Sequence, residues 1–285
     1  MAFLTSAELS RLTADDRLAV ESLAARGIDV VPWVWTAPAA DAPACDLIVI
    51  RSPWDWTTDT AGWDRMLARL EAGATPLENR AARRFQDKTY LEDLRAKGAS
   101  VAPSRFVRPG EPYDAALAQT GWNDVVVKPS LSAGGRKQRH FSIADADAHR
   151  DFALDILETG TLLIQPFFPS IVEQGEWSLV FFEGQYSHAL KKHPAAGDYR
   201  VQDDWGGTVT PALAPPSLIA DAEQVLAAAG DSFLYARVDG FESRDLGGLV
   251  CTELEVVEPE LFFRADPQAP ERFAAAIVRR LAQMR

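Results

Sequence analysis

Two runs of alternating apolar and polar residues, Phe233 to Asp239 (FLYARVD) and Leu249 to Val256 (LVCTELEV), flank a polar stretch containing Gly247-Gly248. A period of two marks half-buried strands, and a glycine-bearing polar link between them predicts a strand pair. Arg237 and Asp239 share one face of the pair and Glu253 and Glu255 another, so three carboxylates and a guanidinium gather on strands that are otherwise oily. Carboxylates that close repel unless a cation joins them, and hard oxygen donors suit Mg²⁺; the alternative is a solvated strand face.

Upstream, Met1 to Ser6 reads as a short buried strand, Thr13 to Arg26 as an amphipathic helix closed by Gly27, and Ile28 to Val34 and Leu47 to Ile50 as two more strands. This β-α-β opening predicts a parallel sheet, and the lack of GxGxxG after its first strand argues against a dinucleotide site. The third strand runs into Arg51-Ser52-Pro53-Trp54-Asp55-Trp56, at the edge where open α/β sheets hold ligands. Arg51, Ser52 and Asp55 are candidates for an amino-acid-like substrate, Arg for its carboxylate and Asp for its ammonium; aromatic packing beside a surface Arg-Asp pair is the other reading.

Helices are expected over Thr58 to Leu70, over Phe85 to Lys97 with Lys88 on it, and over Ala144 to Leu157, with Glu71 to Ala82 as a connector. Val125 to Lys128 and Gln138 to Ile143 read as strands around a small-residue loop, Pro129 to Lys137. Glycines and serines there let backbone N–H groups approach an anion, with Lys128 supplying charge; a plain hairpin turn and a solvated Lys88 are the bland readings. Leu162 to Phe168 is a strand running into an irregular segment, followed by strands Trp177 to Phe182 and Tyr186 to Lys191.

Composition narrows the partners. The 285 residues suit two or three lobes, and a formal charge of -12 lacks the basic field that nucleic acid requires. Cys45 and Cys251 have no CxxC or histidine companions, which favours core packing and a reducing compartment. No signal-peptide core follows Met1 and no run of eighteen apolar residues occurs, so a cytoplasmic protein without membrane partners is expected. His188 and His193 have no third donor at metal-ligand spacing.

The ordered set Lys88; Lys128-Pro129 with Gly134-Gly135; Gln165-Pro166-Phe167-Phe168 with Gly175-Glu176; Arg200; Arg237-x-Asp239; and Glu253-x-Glu255 resembles an ATP-grasp enzyme of the glutathione-synthetase type over nearly the whole chain. Within that superfamily RSPWDW, FQDKTYL, GDYRVQDDWGG and ELEVVEPEL are similar to the cycloserine-forming cyclo-ligases. The resemblance implies an α/β chain, α+β in its later lobes: a pre-ATP-grasp substrate domain over 1–82, a central ATP-grasp lobe over 83–165 and a C-terminal lobe over 166–285 with the metal site. It implies ATP with Mg²⁺, two ions by expectation. Lys88 and Lys128 would neutralise phosphate, and Ser132, Gly134 and Gly135 would close over the transferred group. Gln165, Pro166 and Phe168 would meet adenine and Glu176 the ribose. Asp239, Glu253 and Glu255 would hold the metal, although the family commonly has asparagine at the last position. Arg200 and Arg237 would be catalytic, with a surface ion pair as the other reading of Arg200.

The implied reaction is ATP-dependent activation of a carboxyl or carbonyl as an acyl phosphate for attack by an amine. An amine in the same molecule yields a ring, as in cycloserine formation, and an amine in a second molecule yields a peptide or amide. A non-catalytic ATP-binding module is the reading from another class. The partners are then ATP and a small amino-acid-like molecule, and a homodimer stays open.

Overall fold

Ala2 to Leu4 and Leu47 to Ile50 are apolar at every position, the signature of strands covered on both faces. In the computed structural model, which describes residues 1–135, 137–202, 205–243 and 245–284, β1 (Ala2–Thr5) is central. It pairs in parallel with β2 (Val31–Val34) and β3 (Ile48–Ser52), in the order β2-β1-β3. The period of two turns Phe3, Leu47 and Val49 towards one core and Leu4, Ile48 and Ile50 towards another. Helix α1 (Ala14–Ala24) covers the first side; Thr13 caps it by accepting from the Asp16 N–H, and Gly27, at φ +73, closes it. Helix α2 (Thr60–Ala72) covers the second with Trp63, Met66 and Leu67.

The helix expected from Phe85 is shorter. Helix α3 is Tyr90–Ala96, and Lys88 lies in the turn before it. The reason is tertiary: the Lys88 N–H is taken by the Ser130 carbonyl and Asp87 bridges Leu131, so this segment is fastened to another sheet. That sheet is antiparallel, in the order β4-β7-β5-β6. It consists of β4 (Arg105–Val107), β5 (Asp124–Pro129), β6 (Arg139–Ser142) and β7 (Leu162–Pro166), with α4 (Tyr113–Thr120) and α5 (Ala146–Thr159) over one face. The segment after Pro166, expected to be irregular, contains the short helix α6 (Pro169–Gln174).

A five-stranded antiparallel sheet completes the fold. Its strands are β8 (Glu176–Phe182), β9 (Gln185–His193), β10 (Thr208–Ala212), β11 (Tyr235–Ser243) and β12 (Gly248–Glu255), in the order β10-β9-β8-β11-β12. Helix α7 (Pro216–Ala229) packs on β11 and β12, and α8 (Ala269–Gln283) sets Phe273 and Ile277 against Phe3, Leu23 and Phe182. The chain's last helix thus shares a core with its first sheet, a join with no local signature. Arg136, Asp203, Asp204 and Arg244, within the loops and the turn considered above, lie outside the described residues.

Candidate active site

Strands β11 and β12 meet in antiparallel register with Arg237 opposite Glu255 and Asp239 opposite Glu253. Opposite residues project from the same face, so the four charges share one face rather than two. Strand β11 is also buried on both sides, Arg237 and Asp239 included, and is not the half-buried strand its alternation suggests. The register slips after Asp239, where Gly240 lies so close to β12 that a Cβ would sit 2.5 Å from the Val250 carbonyl oxygen. Such a bulge re-aims the neighbouring side chain.

Asp239 is held from three sides. Arg237 Nε lies 2.9 Å from its Oδ1 and Nη2 2.9 Å from its Oδ2, Lys192 Nζ is 3.1 Å from Oδ2, and Ser178 Oγ donates at 2.5 Å. Burial opposes its ionisation, but Arg237 and Lys192 prevail and hold its pKa well below the usual range. Arg237 also donates to Glu255 and to the Glu260 carbonyl, and it stacks over Phe262. Burial pushes Glu255 up to about 8, with Glu253 and Asp239 adding to the rise against Arg237. Burial likewise lifts Glu176 to about 7; its side chain accepts from Thr252 at 3.0 Å and lies 3.8 Å from Lys192.

Across the cleft, Lys88 Nζ is 2.9 Å from Glu253 Oε1 and 2.8 Å from the Ser132 carbonyl oxygen. Burial would raise Glu253, yet Lys88 and Lys128 lower it. Lys128, at the end of β5, has its pKa lowered to about 8 by burial and by Lys88. The small-residue loop is fastened from the far side, where Trp205 Nε1 donates to the Gly134 carbonyl at 3.1 Å. Arg200 forms a two-pronged pair with Asp198 and lies 3.4 Å over the Trp205 ring, so it makes the local ion pair while still lining the cleft. At the strand end, the Phe167 N–H is taken by Asp124 while that of Phe168 has no partner among the described hydrogen bonds. Gln165 donates to Ser104 at 3.0 Å.

All these groups line one cleft of about 340 Å³: Lys88, Lys128, Ser132, Gly134, Gly135, Gln165, Pro166, Phe168, Glu176, Arg200, Arg237, Asp239, Glu253 and Glu255. Arg51, Ser52 and Asp55 do not line it. Arg51 is buried against Asp16, with Nε 3.0 Å from Oδ1, and donates to the Pro259 carbonyl; Ser52 meets Thr5, and Asp55 accepts from Trp35 at 2.6 Å. Away from the cleft, Arg51 and Asp55 are not placed to touch a substrate there, nor do they form the surface pair of the alternative reading: β3 extends two residues further than expected, to Ser52, and Arg51 turns inward. The surrounding segment does reach the cleft, through Trp54, Trp56 and Thr57.

Several lining residues have no part in the sequence reading. Lys192 stands one residue past the expected strand, in step with buried Leu190 and His188, and a lysine on an inward period-two face was its available signal. Glu258 and Glu260 lie just beyond the acidic pair in ELEVVEPEL, and nothing local distinguishes them from solvated acids. The three expected metal ligands line the cleft without converging. Asp239, Glu253 and Glu255 have the hard-oxygen chemistry of a Mg²⁺ site, but among the described residues no three metal-binding side chains converge on one point. Each carboxylate turns to the nearest ammonium or guanidinium instead. The donor set fits the ion, and the side chains must exchange partners to receive it.

Residues 1–79 match the family of the N-terminal domain of D-cycloserine synthetase DcsG. The chain is 27% identical to the cycloserine biosynthesis protein DcsG of Streptomyces lavendulae, covering 99% of this chain and 98% of that protein. A crystal structure of D-cycloserine synthetase DcsG superposes with a TM-score of 0.87 at 28% identity, over 98% of this chain and 99% of that one. The D-alanine–D-alanine ligase of Bacillus anthracis shares the fold at a TM-score of 0.71 and 15% identity, over 99% and 97% of the two chains. So does the ATP-grasp ligase PsnB, seen with Mg and ADP, at 0.67 and 15% over 98% of each. This chain is an enzyme with the ATP-grasp fold of these ligases, similar from end to end to D-cycloserine synthetase.

Proposed function

We propose that the chain is an ATP- and Mg-dependent ligase that activates a carboxyl or carbonyl group of an amino-acid-like substrate as an acyl phosphate for attack by an amine, with ring closure within one molecule as the preferred outcome. The observation that carries this reading is the convergence, in one cleft, of Lys88 and Lys128 with the cross-strand set Arg237, Asp239, Glu253 and Glu255. Phosphate oxygens need fixed cations in a site with little water, and a carboxylate approaching them needs its repulsion screened. Lys88 and Lys128 supply the cations. Ser132, Gly134 and Gly135 cover the transferred phosphoryl group, and Arg200 reaches it on leaving Asp198. The Pro166 carbonyl and the Phe168 N–H address adenine beside Gln165, and Glu176 addresses ribose.

Asp239, Glu253 and Glu255 are the residues that would hold Mg²⁺, which when bound neutralises charge between the terminal phosphates. Arg237, fixed by Asp239 and the Glu260 carbonyl, is aimed to stabilise the oxyanion that develops when the amine attacks. With Arg51, Ser52 and Asp55 away from the cleft, their contribution to substrate binding runs through the loop and helix they support. The division into 1–82, 83–165 and 166–285 is the corresponding functional partition, and the cytoplasm, with its ATP and reduced thiols, the corresponding compartment. A membrane-crossing helix is not found among the described residues.

The test is ADP release with MgATP across free amino acids, O-substituted serines and paired amines, followed by mass spectrometry. A product lighter by the elements of water than one substrate, the oxygen leaving in phosphate, supports cyclisation, and a two-substrate adduct lighter by the same amount supports intermolecular ligation. Nucleotide binding without turnover on any substrate would leave a non-catalytic module.

A further inference from the structure

Charged side chains around the cleft pair off with two exceptions. Asp239 meets Arg237 and Lys192, Glu253 meets Lys88, Glu255 meets Arg237, Glu176 approaches Lys192, Glu260 meets Arg264, and Arg200 meets Asp198. Among the described residues, neither Lys128 nor Glu258 has an opposite charge within 4.0 Å; Lys128 acts on Glu253, and Lys88 on Glu258, only from further away. A free cation suits phosphate. A carboxyl group lining the same cleft with no cation in contact suits a cationic ligand: burial pushes Glu258 up to about 7, against the Trp56 N–H, and an ammonium beside it would favour its charged form.

Glu258 is also the centre of a rigidly held loop. Five consecutive carbonyls accept from side chains: Val256 from Asn79 at 2.7 Å, Val257 from the Tyr235 hydroxyl at 3.0 Å, Glu258 from Trp54 at 2.9 Å, Pro259 from Arg51 at 3.1 Å and Glu260 from Arg237 at 2.8 Å. The Glu258 carboxylate itself accepts from the Trp56 indole N–H, a single donor where a carboxylate has room for about four. A surface acid needs no such scaffold; a binding group held in one orientation does.

We infer that Glu258 is the ammonium subsite of this enzyme: its carboxylate, oriented by Trp56 and flanked by Trp54, takes the charged amino group of the substrate, so that a free primary amine is required. The inference rests on the ligase reading above and adds the group by which the substrate is recognised. Arg51 becomes a positioning residue, acting through the Pro259 carbonyl.

The experiment is calorimetry on the full chain saturated with MgADP, titrated with D-cycloserine, D-serine, L-serine and D-alanine, each beside its N-acetyl derivative. At least one free amine should bind, and its N-acetyl derivative should bind at least about tenfold more weakly. Glu258→Gln, which keeps an acceptor for Trp56, should weaken the free amine by about tenfold to a hundredfold, as loss of a charged hydrogen-bond partner does, with MgADP affinity unchanged. Trp56→Phe, which removes the orienting N–H together with one ring of a buried indole, should give a smaller loss of the same selectivity, read as the ratio of free-amine to N-acetyl affinity so that any general loosening of the core cancels. Equal binding of amine and N-acetyl forms, an unaffected Glu258→Gln variant, or no amine binding by a protein that binds MgADP would overturn the subsite. Failure to bind MgADP would remove the ligase reading and the subsite with it.

Discussion

Arg237 and Arg51 are both buried guanidiniums paired with an aspartate, and their surroundings separate their roles. Arg237 lines the cleft beside the carboxylates, so Arg237→Lys should lower kcat by about a hundredfold, the scale of losing one preorganised donor, with ATP binding nearly unchanged. An unaltered kcat would sink its role. Arg51 has Asp16 and a loop carbonyl as partners and no exposure to the cleft. Arg51→Ala leaves Asp16 charged in the interior and should cost about 3–5 kcal/mol of stability in denaturant titration, while KM for ATP stays as it was. Unchanged stability with a raised KM for the amine substrate would return Arg51 to direct substrate contact. Glu253→Gln should abolish turnover and keep the fold, since Glu253 is partly exposed to the cleft and meets Lys88 there; an unfolded variant would speak for a structural role.

Asn79 ties elements together that sequence separation keeps far apart. In a left-handed conformation, it accepts from the Leu234 N–H at 2.7 Å and donates to the Tyr235 and Val256 carbonyls at 2.8 and 2.7 Å. Asn79→Ala strands these buried groups and should cost about 3 kcal/mol, read as a lowered denaturation midpoint. On β9, burial lowers the pKa of His188, whose Nε2 meets the Leu261 carbonyl at 2.9 Å. The unfolded chain then binds that proton more readily, so the stability it contributes is present above about pH 6.5 and is lost as pH falls through the lowered value. The residues facing it, Arg272, Asp266, Asp15 and Ser187, stay in place in a His188→Gln variant, whose Tm should fall less steeply than wild type between about pH 6.5 and 5. Parallel pH profiles would exclude His188 as a contributor.

At the scale of the whole molecule, the five-stranded sheet and the turn before α3 pair their charges within the cleft, Lys88 with Glu253, Lys192 and Arg237 with Asp239, and Arg237 with Glu255. On the proposed function, nucleotide binding exchanges Lys88–Glu253 and the neighbouring pairs for contacts to phosphate and metal. ATP with Mg²⁺ should bind far more tightly than ATP with EDTA by calorimetry, because nucleotide alone frees Glu253 from Lys88 without offering it a new cation. Equal affinities would remove the metal assignment from Asp239, Glu253 and Glu255.

Local patterns in the sequence determined much of this protein. The β-α-β opening follows from unbroken apolar strands around a capped helix, and the β11–β12 pair from two alternating runs around glycines. The lysines, glycines and acids that line the cleft stand in the sequence as an ordered set, legible through its resemblance to ATP-grasp enzymes. Only the tertiary structure decided what each charge faces. Side-chain period says which residues share a strand face but not the register between strands, and register set Asp239 against Glu253 on one face. The Ser130 carbonyl held Lys88 out of the helix expected from Phe85, Asp16 turned Arg51 inward, and five distant side chains fastened the loop that presents Glu258. Each is a long-range hydrogen bond or ion pair, whose partner lies beyond any window in which hydrophobic periodicity can be read.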